Sequence, residues 1–257
     1  MRTSSFLLVI AIVSGGAAPA LALDPNLTPA AAFRSGYQAY KAGDRQTAID
    51  ALSFAADKGH PGAMWKLGRM YQTGDLVDEN DEKAIELFSK VANQYADGNP
   101  RGPDAPFVSD SFVTLGGYYQ NGVPGTVKAD PDRARHYYSY AASYFGDPQA
   151  QYSLAGMLLA GEGGKQDQRQ AARWYKLAAE KGHARAQAQL GRLMLEGAGI
   201  QKSPVKGLMW LSIAQLGGRG DPSIQALHEE AFSGAEEAQR RAAVALAEDW
   251  VARRQPK

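Results

Sequence analysis

Four stretches of this chain hold residue types that could do chemistry. Ser203-Pro204-Val205-Lys206 matches S-x-x-K, the pattern in which penicillin-recognising enzymes hold a serine nucleophile and its lysine. The companion K-T-G and S-D-N motifs are missing, and Ser109-Asp110-Ser111 is only a near miss. Gly161-Glu162-Gly163-Gly164 is glycine-rich, as phosphate cradles are, but no Lys-Ser/Thr follows and no G-x-G-x-x-G is present. His60, His136, His183 and His228 are the only histidines, none stands four residues from another, and cysteine is absent, so a zinc ligand set is not assembled. Tyr137, Tyr138, Tyr140 and Tyr144 could stack on sugars, yet the register described below places the first two in a core. Structural roles serve better: Ser203 as a helix N-cap with Pro204 at the first helical position, and His60 and His183 at matching positions of a repeat. The expectation is a non-enzyme with no catalytic residues, no cofactor and no metal.

The elements that would position these residues repeat. Ala171-Ala172-Arg173-Trp174-Tyr175-Lys176-Leu177-Ala178-Ala179-Glu180-Lys181-Gly182-His183 has the skeleton of Ala48-Ile49-Asp50-Ala51-Leu52-Ser53-Phe54-Ala55-Ala56-Asp57-Lys58-Gly59-His60. Copies begin at Ala48, Ala84, Ala134, Ala171 and Gly207, in steps of 36, 50, 37 and 36 residues. Each runs small, then large at +3 and +4, then small at +7 and +8, the stripe of a helix packed between neighbours. A preceding helix carries Leu-Gly-x-x-aromatic or a close variant: Leu67-Gly68 with Tyr71, Leu115-Gly116 with Tyr119, Leu154-Ala155 with Leu158, and Leu190-Gly191 with Met194. Glycine costs about 1 kcal/mol inside a helix, so close helix contact is its expected compensation. A period in this range implies a right-handed α-solenoid of helix-turn-helix repeats, an all-α fold that mostly binds other molecules.

Gly59, Gly146, Gly182 and Gly217 are expected as left-handed C-caps, and Asp81 and Asp130 as N-caps of second helices. The 50-residue step points to an insertion at about 95–110, where Pro100, Pro103, Pro106, Gly98 and Gly102 argue against helix through Phe107. Such a loop would be the natural nick site. The repeats are expected over 23–218. Residues 219–257 then form a C-terminal cap: a short helix over Pro222 to Phe232, a capping box of Ser233 and Glu236 opening a helix to about Ala252, and a basic tail of Arg253, Arg254 and Lys257. Glu236, Glu237, Arg240, Arg241, Glu248 and Asp249 supply its solvent face.

Residues 1–22 have the plan of a secretory leader: Arg2, an apolar Phe6–Val13 run, and Ala20-Leu21-Ala22 as a cleavage site. The apolar run is shorter than the roughly 20 residues a permanent span needs. The expected location is the periplasm, with no membrane span after cleavage. The chain carries 28 basic and 27 acidic residues, without the basic excess that nucleic-acid binding requires. With cysteine absent, packed helices alone must hold the fold.

The Leu-Gly-x-x-Tyr and Ala-x-x-Trp-Tyr-x-x-Ala-Ala-x-x-Gly skeletons resemble the Sel-one-like repeat, a relative of the tetratricopeptide repeat, over residues 33–218. The chain is also similar, over nearly its whole length, to a family of periplasmic negative regulators of exopolysaccharide production in rhizobia and their relatives. Asp24-Pro25-Asn26, Tyr40-Lys41-Ala42-Gly43, Val77-Asp78-Glu79-Asn80-Asp81, Leu115-Gly116-Gly117-Tyr118-Tyr119 and Met157-Leu158-Leu159-Ala160-Gly161-Glu162-Gly163-Gly164 carry that likeness. The resemblance implies a partner, the periplasmic domain of a sensor histidine kinase, which the protein would hold inactive. It offers no catalytic residues to carry over.

Stepping about 100° per residue from Leu67 sends positions 65, 66 and 69, with their equivalents in later repeats, away from the core stripe. That face holds Trp65, Lys66, Arg69, Tyr152 and Arg192, and aromatic and arginine side chains are common interface anchors. It is the expected partner-binding face, unless Trp65 and Tyr152 serve to cover a neighbouring unit. Two further readings stay open from the sequence: a periplasmic scaffold gathering cell-envelope proteins, and a wall enzyme using Ser203.

Overall fold

The computed structural model describes residues 27–254. The leader with its cleavage site, Asp24-Pro25-Asn26 and Lys257 of the basic tail lie outside these residues. Twelve α-helices follow one another: α1 Pro29–Ala42, α2 Arg45–Asp57, α3 Pro61–Thr73, α4 Asp81–Tyr95, α5 Ala105–Asn121, α6 Pro131–Tyr140, α7 Pro148–Ala160, α8 Gln168–Glu180, α9 Ala184–Glu196, α10 Pro204–Gly217, α11 Pro222–Ser233 and α12 Glu237–Ala252. A π-helical turn, Ala141–Phe145, continues α6. Odd-numbered helices up to α9 are the first helices of the repeat units, and each packs most extensively on the helix that follows it. The result is the α-solenoid the repeat implies, with a core that continues from unit to unit.

The glycines of the first helices answer to close packing, as expected. A Cβ on Gly68 would meet the Phe88 ring at 3.0 Å, one on Gly116 the Tyr138 ring at 2.6 Å, and one on Gly191 the Leu211 side chain at 2.9 Å. In each case the large residue of the second helix fills the space a methyl would need. Phe88, Leu115, Leu190 and Leu211 are accordingly buried.

Several local expectations need correction. Asn80, not Asp81, caps α4, accepting from the Lys83 amide at 2.9 Å; Asp81 instead accepts the Tyr118 hydroxyl at 2.7 Å. Asp130 does cap α6, through the Arg133 amide at 3.0 Å. Gly217 is the last residue of α10 rather than a left-handed cap, whereas Gly59, Gly146 and Gly182 have the positive φ expected of them. No capping box opens α12: Ser233 ends α11 with its hydroxyl on the Glu230 carbonyl, and the helix starts at Glu237. Pro106 and Phe107 belong to α5, because proline is tolerated in a first helical turn. The irregular part of the insertion is therefore only residues 96–104.

That insertion is tied down. Tyr140 donates to the Ala96 carbonyl at 2.9 Å and Tyr144 to the Gly98 carbonyl at 3.0 Å. The step from Ala134 to Ala171 is one residue longer than the 36 from Ala171 to Gly207. The π turn absorbs the extra residue, since a π turn holds one more residue than an α turn. It carries Tyr144 and Phe145 over the insertion, where Phe145 lines a cavity of about 120 Å³ with Tyr95, Pro103 and Val108.

Candidate functional site, the first-helix face

The first helices present most of the residues the sequence singles out, and the structure shows how each is held. Trp65 on α3 is half-buried; its indole Nε1 donates to Asp110 Oδ2 of α5 at 2.6 Å, and its ring lies 5.2 Å from that of Phe107. Tyr152 on α7 stacks on His183 at 4.7 Å with planes 22° apart, and packs 5.8 Å from Tyr175. Both aromatics thus cover the next repeat unit. Arg69 donates to Gln72 at 2.9 Å, and Arg192 donates to Gln189 at 3.1 Å and to Glu196 at 2.8 Å. Both guanidiniums are half-buried on their own helices.

Lys66 departs from the expected outward placement. It is only 8% exposed, with its ammonium 3.2 Å from the centre of the Tyr40 ring. The helical wheel omits α1, which covers this position from the N-terminal side. Burial lowers the Lys66 pKa, and nearby Asp75 opposes that shift. Tyr40 itself donates to Asp75, and this bond raises the phenol's pKa. Asp110, Phe107 and the Tyr40–Asp75 pair are missed by the sequence reading. Phe107 and Asp110 sit beside the insertion, which breaks the 36-residue register that would have placed them.

His60 and His183 share one device. Each is an N-cap whose Nδ1 accepts an amide, from Ala63 at 3.3 Å in α3 and from Ala186 at 3.1 Å in α9. Each is also stacked by an aromatic ring of an earlier first helix, Phe33 at 4.5 Å and Tyr152 at 4.7 Å. Burial is the main cause that lowers both pKa values. These are structural imidazoles, as the repeat register implies.

Ser203 stands at the N-cap position of α10 with Pro204 following, although its hydroxyl makes no cap bond. Its amide and carbonyl bond to Met194 and Gly207, both at 2.8 Å. Tyr138 is buried, while Tyr140 and Tyr144 are spent on the insertion. Among the described residues no three of His, Asp and Glu gather as a metal site would require, and no helix is long and apolar enough to cross a membrane. The arrangement defines a helical-repeat binding scaffold.

The family follows from comparison. The Sel1 repeat model matches residues 61–95, 115–143, 148–183 and 184–214. The exopolysaccharide production negative regulator of Rhizobium meliloti (strain 1021) is 36% identical over 258 residues, covering 97% of this chain and 94% of the relative. That of Rhizobium leguminosarum bv. viciae is 38% identical over 215 residues, covering 83% of this chain and 79% of the relative. Among solved structures, a Sel1 repeat protein from Oxalobacter formigenes superposes with a TM-score of 0.65 at 28% identity, over 86% of this chain and 88% of that one. The chain belongs to the Sel1-repeat family of exopolysaccharide production negative regulators.

Proposed function

We propose that this protein is a periplasmic negative regulator of exopolysaccharide synthesis that binds the sensing domain of a membrane histidine kinase and holds the kinase inactive. The observation that carries this reading is the end-to-end similarity to relatives named as negative regulators, in a chain built as a repeat solenoid. Such a solenoid acts by differential affinity: it binds the inactive conformation of the sensing domain more tightly and shifts the population toward it. The residues with catalytic potential are engaged in helix caps, ring stacks and loop anchors, which supports a binding role over an enzymatic one.

A pull-down from the cell envelope with the purified protein tests the reading. Recovery of a membrane histidine kinase is the expected result. Recovery of wall enzymes without a kinase would move the protein to the scaffold class, and acylation of Ser203 by a fluorescent penicillin would move it to the enzymes. Trp65→Ala and Arg69→Ala in the same experiment test the first-helix face as the site of contact.

A further inference from the structure

The charge of this nearly neutral chain is unevenly placed. Residues 122–218 carry 12 basic and 7 acidic side chains, and residues 27–121 carry 9 basic and 12 acidic. Much of the excess lies on one edge of the solenoid, formed by the turns between the two helices of each unit and the starts of the second helices. Lys128, Lys165 and Lys202 stand at 37-residue steps in three successive turns. Arg133, Arg169 and Lys206 stand in the first turns of α6, α8 and α10. All six are exposed, and none forms an ion pair among the described residues.

These cations form a continuous ridge. Each turn lies against the start of the second helix of the preceding unit. Gly163 and Gly199, 36 residues apart and at φ of +60° and +69°, sit so close to the Pro131 and Gln168 carbonyls that a side chain could not fit. Arg135 reinforces one junction, donating to the Gly163 carbonyl at 3.2 Å and the Lys165 carbonyl at 3.3 Å. The corresponding turn of the α3–α4 unit reverses the sign: Asp75, Asp78 and Glu79 lead into Asp81 and Glu82.

Folding does not explain the ridge. A helix N-terminus carries partial positive charge, so a cation in the first turn costs about 0.3–1 kcal/mol. α8 and α10 have no acidic residue in that turn to offset it. A local rule broken in three consecutive units without structural return is what a recognition surface looks like.

We infer that this edge is the docking surface for a protein partner that presents a carboxylate-rich face, and, resting on the reading above, that the partner is the kinase sensing domain. A polysaccharide is the poorer fit, because Tyr119, the aromatic beside the ridge, is covered by Arg133 at 4.2 Å and by Tyr137 at 5.5 Å. The sign change along the edge would orient the partner as well as attract it. Complementary charge of this kind acts mostly on the association rate and fades with salt.

The test is the affinity of the full-length protein for the purified sensing domain, from 50 to about 500 mM salt, with the triple variant Lys165→Glu, Arg169→Glu, Lys202→Glu. Circular dichroism and the melting temperature establish that the variant is folded, and the charge-keeping variant Lys165→Arg, Lys202→Arg serves as control. The inference predicts a loss of about 30-fold or more in the triple variant, carried mainly by slower association, with the control unaffected. Native binding that the folded triple variant and salt leave unchanged would overturn the edge and keep the proposed function. Absence of native binding would overturn both. Capture of the native protein, but not the variant, by phosphatidylglycerol vesicles or by alginate, with kinase binding unaltered, would assign the ridge to a lipid or polysaccharide and overturn the inference.

Discussion

Trp65 and Asp110 join α3 to α5 through one hydrogen bond of 2.6 Å from indole Nε1 to carboxylate Oδ2. The bond spans the insertion, where the 36-residue register is interrupted. A hydrogen bond to a charged group contributes about 1.5–3 kcal/mol. Trp65→Phe and Asp110→Ala are each expected to lower stability to urea by about 1–2 kcal/mol, and the double variant by clearly less than their sum. Additive losses would mean that the two side chains are not coupled in solution.

Backbone crowding at the ridge gives a sharper contrast. Gly163→Ala and Gly199→Ala combine positive φ with collision against a carbonyl of the preceding unit; Gly43 has φ +75° and open space around it. A left-handed residue with a Cβ costs about 1–2 kcal/mol. Gly43→Ala should therefore cost about 1 kcal/mol, and either ridge substitution about 3 kcal/mol or more. Equal losses at all three positions in chemical denaturation would show that the turns do not stack as described.

The insertion should resist proteases because two tyrosines hold it. Tyr140→Phe with Tyr144→Phe removes both hydroxyl anchors while leaving the rings in place. Cleavage within 96–104 is expected to accelerate about fivefold or more with little change in global unfolding, since local opening governs such nicking. Unchanged cleavage would mean that the rings, rather than the hydroxyls, hold the segment.

Acid should weaken the fold through the two histidine caps. Burial lowers the pKa of His60 and His183 in the folded state, and a protonated Nδ1 cannot accept the amides of Ala63 and Ala186. The unfolded chain then binds more protons, so stability rises with pH over the window concerned. The contribution is full above the unfolded histidine pKa of about 6.5 and is lost as pH falls through it toward the lowered folded values. His60→Asn with His183→Asn keeps a side chain suited to capping and cannot titrate. The melting temperature of that variant should fall less than the native one between pH 7.5 and about 5; identical slopes would remove the histidines from the acid response.

The repeat was readable because its signal is periodic and local: Leu67, Leu115, Leu154 and Leu190 mark one buried stripe, and the glycine or alanine after each marks a helix contact. What the pattern could not convey is contact across units. Lys66 looks outward on an isolated helical wheel, and only α1, with Tyr40, covers it. Asp81 and Ser233 are plausible caps by residue type, but adjacent residues offered competing geometry, Asn80 at one and a separate helix end at the other. Phe107 and Asp110 escaped notice because the insertion displaces them from register. The ridge of cations is spread over separate turns, and only stacking brings them onto one edge.

The most direct test of the central claim is the affinity between the purified protein and the periplasmic sensing domain of the kinase, measured by titration calorimetry alongside kinase autophosphorylation in reconstituted membranes. The account predicts saturable binding at about micromolar Kd or tighter, near −8 kcal/mol, with autophosphorylation falling as the site fills. Absence of heat and of inhibition at about 100 μM protein would contradict it.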